Sequence, residues 1–116
     1  MRHSKSTKTL GRVKRQREAL LRSLARSLVM YEHIDTTEAK AKALRPFIEK
    51  LITKGKANSL ASHRIVLTRL GGQREAKKLL QTIVPKYKDR AGGYTRIIKL
   101  TDQGINIRKR ARIEFV

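Results

Sequence analysis

The sequence predicts an α+β domain in which about four helices pack on one face of a small mixed sheet of about three strands. Two observations lead to this fold class. Apolar residues recur at helical spacing through most of the chain, and the last third changes to short segments rich in β-branched and aromatic residues. The length of 116 residues suits one small domain. We therefore expect a basic, extended N-terminal arm over 1–11 and a single folded domain over 12–116.

The first helix is predicted over 12–31, where Leu20, Leu21, Leu24 and Leu28 fall on one face. We expect this face to lie in the core. If Leu24 is fully buried, its replacement by alanine should cost roughly 2–5 kcal/mol of unfolding free energy.

A strand and the second helix follow. The segment 32–37 interrupts the helical period and predicts a short strand with Ile34 directed inward. Thr36 or Thr37 is expected to cap a helix over 38–55 by accepting a hydrogen bond from a free backbone N–H. The core face of this helix has apolar residues at helical spacing: Leu44, Phe47, Ile48, Leu51 and Ile52.

Two shorter helices come next. One is predicted over 58–70, with Asn58 or Ser59 as its N-cap. The other is predicted over 73–83, and Pro85 should prevent it from continuing.

Two strands complete the fold. The segment 94–100 is rich in β-forming residues, and 111–116 alternates so that Ile113 and Phe115 face one way. These two strands can pair as a hairpin, with the strand near Ile34 beside them.

The charge of the chain points to its partner. Lys and Arg total 29 against 9 Asp and Glu, a formal net charge of +20. The excess is present throughout, with nine basic and one acidic residue in 1–30, eleven and five in 31–83, and nine and three in 84–116. A folded body with so much like charge repels itself, so a polyanion such as nucleic acid is the expected partner. A membrane surface is the other partner that basic chains bind, but the helix over 12–31 has Leu rather than Trp or Phe and is better used in the core. No apolar run approaches the length of a bilayer span, so we expect no membrane partner.

Catalytic and metal-binding patterns are missing from the sequence. There is no cysteine, and the three histidines lack a set of ligand-type neighbours. No phosphate-binding loop motif, nucleophile motif or cluster of carboxylates occurs. We therefore expect no enzyme activity, no metal, no cofactor and no small-molecule substrate.

The stretch DRAGGYTRI, residues 89–97, is the leading candidate for phosphate binding. Gly92 and Gly93 lack a Cβ, so the backbone can turn and come close to a phosphate. Arg90 and Arg96 can each offer a planar guanidinium group. Tyr94 has two open roles: its ring can stack on an unpaired base or a ribose, or it can pack beneath the loop. The alternative for the whole stretch is a plain turn into a strand.

Two other places carry candidate contacts. The N-terminal arm suits a flexible segment that becomes ordered on nucleic acid. At the start of the second helix, threonine hydroxyls, free N–H groups and lysines meet, which is an anion site in principle, although simple capping explains the threonines equally well. The candidate residues at these places are Arg2, His3, Lys5, Arg12, Thr37, Lys40 and Lys42.

Structured RNA is the favoured nucleic acid. The sequence has no recognisable DNA-binding motif and few aromatic residues, so recognition must depend on phosphates and shape. A nucleoid-type protein that coats DNA is the alternative, and it remains open at this point.

Several motifs, in order along the chain, carry a resemblance to a known family. They are MRH at the start, LGR at 10–12, a REALLRSLA-like run at 17–25, IDTTEAKAKALRPFIEKLIT at 34–53, RAGGYTRI at 90–97 and the final IEFV. Together they resemble the bacterial large-subunit ribosomal protein seventeen family over nearly the whole chain. The segment 101–110 departs from the family pattern, so its contacts are left open.

The resemblance implies a structural protein of the large ribosomal subunit, in the cytoplasm, that binds ribosomal RNA near the nascent-chain exit side and touches neighbouring ribosomal proteins. It implies an RNA-binding domain over 12–116 with the α+β layout described above. The implied RNA-facing residues are Arg2, His3, Lys5, Arg12, Arg17, Thr37, Lys40, Lys42, Arg90, Gly92, Gly93, Tyr94 and Arg96.

Overall fold

The computed structural model describes residues 13–100 and 109–116. The α+β architecture is confirmed, with helices packed against a three-stranded sheet. In chain order the elements are α1 Lys14–Tyr31, β1 His33–Thr37, α2 Glu38–Lys56, α3 Leu60–Leu70, α4 Gln73–Lys78, β2 Thr95–Lys99 and β3 Arg110–Phe115.

The sheet is antiparallel rather than mixed. The strand order is β1-β3-β2, and both pairings with β3 are antiparallel. The connection from β2 to β3 is too short for a crossover helix, which a parallel neighbour would need. Ile34, Ile113 and Ile97 lie side by side across the three strands and pack toward the helices, as the alternation in β3 predicts.

Helix α2 lies at the centre of the fold and packs against α1, α3 and the sheet. Leu44, Ile48 and Ile52 on α2 are fully buried, as is Leu28 on α1. Leu24, by contrast, is only partly buried and packs at the margin of the core. The predicted apolar face of α1 is therefore present, but its centre lies nearer Leu28 than Leu24.

The caps resolve two open alternatives. Thr37, and not Thr36, caps α2: its hydroxyl accepts a hydrogen bond from the backbone N–H of Lys40 at 3.3 Å. Ser59, and not Asn58, caps α3 and forms a reciprocal capping box with Ser62. This pairing satisfies two backbone donors at the start of α3.

The segment predicted as one helix over 73–83 has two geometries, and a third follows it. α4 ends at Lys78, a π-helical turn spans Leu79–Ile83, and a 3-10 turn spans Val84–Tyr87. Pro85 therefore does not stop helical structure, because it lies in the first residues of the 3-10 turn, where an N–H is not required.

A carboxylate on α2 holds the start of β2. One oxygen of Glu49 accepts hydrogen bonds from the backbone N–H of Thr95 at 3.1 Å and from the Thr95 hydroxyl at 2.8 Å. Thr95 is 2% exposed, so both donors would lack a partner inside the protein without this carboxylate. This contact sets the position at which the loop before β2 ends and the strand begins.

We expect Leu28→Ala to lower the free energy of unfolding by about 2–5 kcal/mol, because it leaves a cavity in the core. Leu24→Ala should cost clearly less, since part of that side chain already contacts solvent. Chemical denaturation of the two variants under the same conditions measures the difference. Equal losses would contradict the placement of Leu28 at the centre of the core.

A double-mutant cycle tests the link between α2 and β2. Glu49→Gln, Thr95→Val and the double variant should give a coupling energy of about 1–2 kcal/mol, because the contact joins a charged acceptor to a buried hydroxyl. Glu38→Gln changes a carboxylate of the same helix that forms an ion pair with Lys42 and no hydrogen bond with Thr95. It is the matched control and should show additive effects with Thr95→Val. Additivity for the Glu49 pair would mean that the hydrogen bond contributes no stability.

Candidate nucleic-acid interface

Tyr94 lies beneath the loop that the sequence singled out. The residue is 1% exposed, and its ring packs against Tyr87 with 5.2 Å between ring centroids. Its hydroxyl donates to the carbonyl of Arg90 at 3.2 Å and accepts from Thr53 at 3.5 Å. Of the two roles left open, packing beneath the loop is the one that the structure has. Stacking of a base on Tyr94 does not fit, because the buried ring offers no open face.

Lys56 joins this network from the last turn of α2. Its ammonium group donates to the carbonyl of Arg90 and, at 3.1 Å, to the hydroxyl of Tyr94, and it lies 5.3 Å from the centroid of the Tyr94 ring. The hydrogen bond from Thr53 lowers the pKa of Tyr94, and Lys56 lowers it further against the opposing effect of burial. Lys56 thus holds the loop at Arg90 and Tyr94 against the end of α2. The sequence reasoning missed it because nothing local in the sequence relates residue 56 to residue 94.

The glycine pair leaves the loop surface open. Gly93 has a φ of 64°, which favours glycine, whereas Gly92 does not need this conformation. A Cβ at either position would meet no atom within 4 Å. Arg90 is exposed, and its Nε donates to the carbonyl of Gly92 at 3.2 Å. The backbone at Gly92 and the guanidinium of Arg90 are therefore presented together to the outside.

Arg96 lies on the outer face of the sheet and is paired. Its Nε donates to Glu114 on the neighbouring strand at 2.8 Å, and the side chain is 58% exposed. The next row of the sheet repeats this arrangement, because Arg112 donates to Asp35 at 2.7 Å. The hydrogen bond from Arg112 lowers the pKa of Asp35 and, in return, the pKa of Arg112 is raised. Arg96 therefore points outward as expected, but it shares its guanidinium with an acid of its own sheet.

The polar groups at the start of α2 mostly have partners within the protein. The Thr37 hydroxyl is engaged as a cap, and Lys42 forms an ion pair with Glu38 at 2.9 Å. The hydrogen bond from Lys42 lowers the pKa of Glu38. The backbone N–H of Glu38 donates to the carbonyl of Lys109 at 2.9 Å. A carboxylate thus lies where the sequence analysis raised an anion site, while the ammonium group of Lys40 has no ion-pair partner among residues 13–100 and 109–116.

The remaining predicted residues fall in two places. Arg17 lies on the first turns of α1 and is partly exposed. The other four, Arg2, His3, Lys5 and Arg12, lie outside the described residues, as does most of the divergent segment 101–110.

Two arginines of α1 have a structural role that the sequence reasoning did not find. Arg26 donates to the carbonyl of Leu70 at 3.0 Å, at the C-terminal end of α3. A Cβ on Gly71 would lie 2.8 Å from the side chain of Arg22, and one on Gly72 would lie 3.1 Å from that of Arg26. A Cβ on Gly72 would lie nearer still to Glu75, and Gly71 has a φ of 80°, so the glycine pair at 71–72 both ends α3 and leaves room for neighbouring side chains. In the sequence, this glycine pair indicates only the end of a helix.

No group of three or more metal-ligating side chains occurs in the part of the chain that the structure describes. Over the same residues, no helix is long and apolar enough to cross a membrane.

Comparison with known proteins gives the family. The model of a family described as ribosomal protein L17 matches residues 20–116. A large ribosomal subunit protein bL17 from Sulfurihydrogenibium sp. is 50% identical over 117 residues, which cover 100% of this chain and 97% of that protein. The bL17 proteins of Hydrogenobaculum sp. and Nautilia profundicola are 48% and 46% identical and cover 89% and 100% of this chain. In turn, 87% and 98% of those two proteins are covered. The chain therefore belongs to the ribosomal protein L17 family.

Proposed function

We propose that this chain is a structural constituent of the large ribosomal subunit that binds the subunit's RNA through phosphate and shape contacts and stabilises its fold. One observation carries the proposal. Nine acidic residues cannot neutralise 29 basic ones, and several of those acids are already engaged in ion pairs on the folded domain. Most of the basic side chains are therefore available to a polyanion.

The outer face of the sheet supports recognition by phosphates and shape over base stacking on its strands. Tyr87 and Tyr94 are buried and hydrogen-bonded, while Tyr31 is 72% exposed at the end of α1. An RNA-binding sheet that stacks bases needs aromatic side chains on its open face. Here the outer face of the sheet carries the ion pairs of Arg96 and Arg112 instead.

The names of the relatives support the ribosomal assignment, since each is a large ribosomal subunit protein. We further propose, from the resemblance of the sequence motifs, that the protein lies near the nascent-chain exit side, in contact with neighbouring ribosomal proteins. Its role there is electrostatic and geometric, with no catalytic step.

Binding to a large-subunit RNA fragment should weaken steeply with salt, with a log–log slope on the order of −5 or steeper, because each neutralised phosphate releases a counterion. Filter binding between about 50 and 200 mM salt measures the slope. Competition with duplex DNA of the same length is the control. A flat salt response would contradict phosphate-based binding, and equal affinity for the two nucleic acids would favour a DNA-coating protein.

Arg96 and Glu114 should have opposite effects on RNA affinity. Arg96→Ala removes a guanidinium group, so it should weaken binding and reduce the magnitude of the salt slope by about 1. Glu114→Gln frees the same guanidinium, so it should strengthen binding. Both substitutions should change the unfolding free energy by no more than about 1 kcal/mol, because the pair is exposed. If neither changes RNA affinity, Arg96 serves only to pair the strands.

A further inference from the structure

An open trough runs along a second face of α2, away from the core. It has a volume of about 900 Å³ and is bounded by α2, α3, one side chain of α1 and the loop before β2. We call it the α2–α3 trough. Its apolar lining consists of Leu21, Ala43, Pro46, Phe47, Leu51 and Ile65.

Three cations surround the trough without a counter-charge. Lys50 and Lys54 lie one turn apart on α2, and Arg69 lies opposite them on α3. None of the three has an ion-pair or hydrogen-bond partner within the described residues. Like charges one turn apart destabilise a helix. Unpaired cations are common in so basic a chain, but these three border an apolar surface, and that combination suits a ligand that is both anionic and apolar.

The acid that lines the trough does not neutralise these cations. Glu49 is held by the two hydrogen bonds from Thr95, and its nearest cation is Arg45 at 3.6 Å. Beyond the trough, a shallow hollow shares Lys54 and Arg69 with it and adds Arg64. The positive charge thus continues across α3.

The glycine loop also lines the trough. Ala91 and Gly92 line it there, next to the exposed Arg90, and a Cβ on Gly92 would meet nothing within 4 Å. The trough therefore combines cations, an apolar surface with an aromatic ring and an open backbone. An unpaired nucleotide matches this combination, because it joins a flat apolar base to a phosphate on either side.

We propose that the α2–α3 trough receives an unpaired nucleotide of the ribosomal RNA. The base lies on the apolar lining at Phe47 and Ile65, and the flanking phosphates lie on Lys50, Lys54 and Arg69. This inference rests on the proposed function, since it names the part of the RNA that one surface binds. An acidic segment of a neighbouring protein would use the same cations but would not need a flat apolar surface, so it is the alternative outcome of the test.

The absence of cysteine from the chain makes a direct test possible. Ile65→Cys places a unique thiol in the trough, and Leu60→Cys places one on the same helix outside it; the two native side chains are 38% and 68% exposed. Each tagged full-length variant is purified, labelled with a short photo-crosslinker, assembled into large subunits and irradiated. We expect Ile65→Cys to crosslink to an unpaired nucleotide. A crosslink to protein, or no crosslink, overturns the proposal.

The same experiment separates this proposal from the function on which it rests. If the tagged protein does not co-sediment with large subunits at all, the proposed function fails. If it co-sediments and only the Ile65→Cys crosslink to RNA is missing, the trough proposal fails alone. The Leu60→Cys variant reports what surrounds α3 outside the trough, so a crosslink pattern identical to that of Ile65→Cys also counts against the trough.

Free protein provides a second readout. The probes are a hairpin RNA with one unpaired adenosine and the same hairpin with an abasic residue at that position. Unsubstituted protein should bind the adenosine probe at least about fivefold more tightly, because stacking on an aromatic or apolar surface is lost in the abasic probe. Ile65→Asp should abolish this ratio and Leu60→Asp should retain it. Equal binding of the two probes by the unsubstituted protein overturns the proposal.

Discussion

The contacts between α2 and residues 90–95 are the interaction on which the candidate RNA-binding surface depends. Glu49, Thr53 and Lys56 lie along one face of α2 and contact, in turn, Thr95, Tyr94 and the carbonyl of Arg90. A neighbouring face of the same helix supplies the buried centre of the core. One rigid helix therefore sets both the packing of the domain and the position of the loop, so the glycine backbone is held ready before any partner binds.

The few acidic residues are placed where they serve the fold. Glu49 satisfies buried donors, Glu114 and Asp35 pair arginines across the sheet, and Glu38 lies at the start of α2. Because these acids are used elsewhere in the domain, Lys50, Lys54 and Arg69 at the α2–α3 trough keep no ion-pair partner among the described residues. The charge that would bind RNA is thus concentrated by the way the acids are distributed and not only by the total of +20.

The helices and strands were predictable because their signals are local. The spacing of the leucines predicts helix α1, and the alternation around Ile113 predicts strand β3. In both cases the pattern within the segment indicates the secondary structure and the buried face. The candidate site was predictable only in part. The residue types at 89–97 predict that Gly92 and Arg90 lie on an exposed turn. The burial of Tyr94 depends on its packing against Tyr87 and on its contact with Lys56, which is 38 positions away in the sequence. The pairing of Arg96 likewise requires the register between β2 and β3.

The sequence by itself determined the charge, the order of the elements and the family, because composition, periodicity and linear motifs are properties of the chain. Only the tertiary structure decided which cations are left to bind. It pairs Arg96 with Glu114, turns Lys56 inward and brings Lys54 and Arg69 to the same trough. The physical reason is distance: ion pairs and hydrogen bonds act over a few ångströms in space, and positions far apart in sequence reach that separation only after the domain has folded.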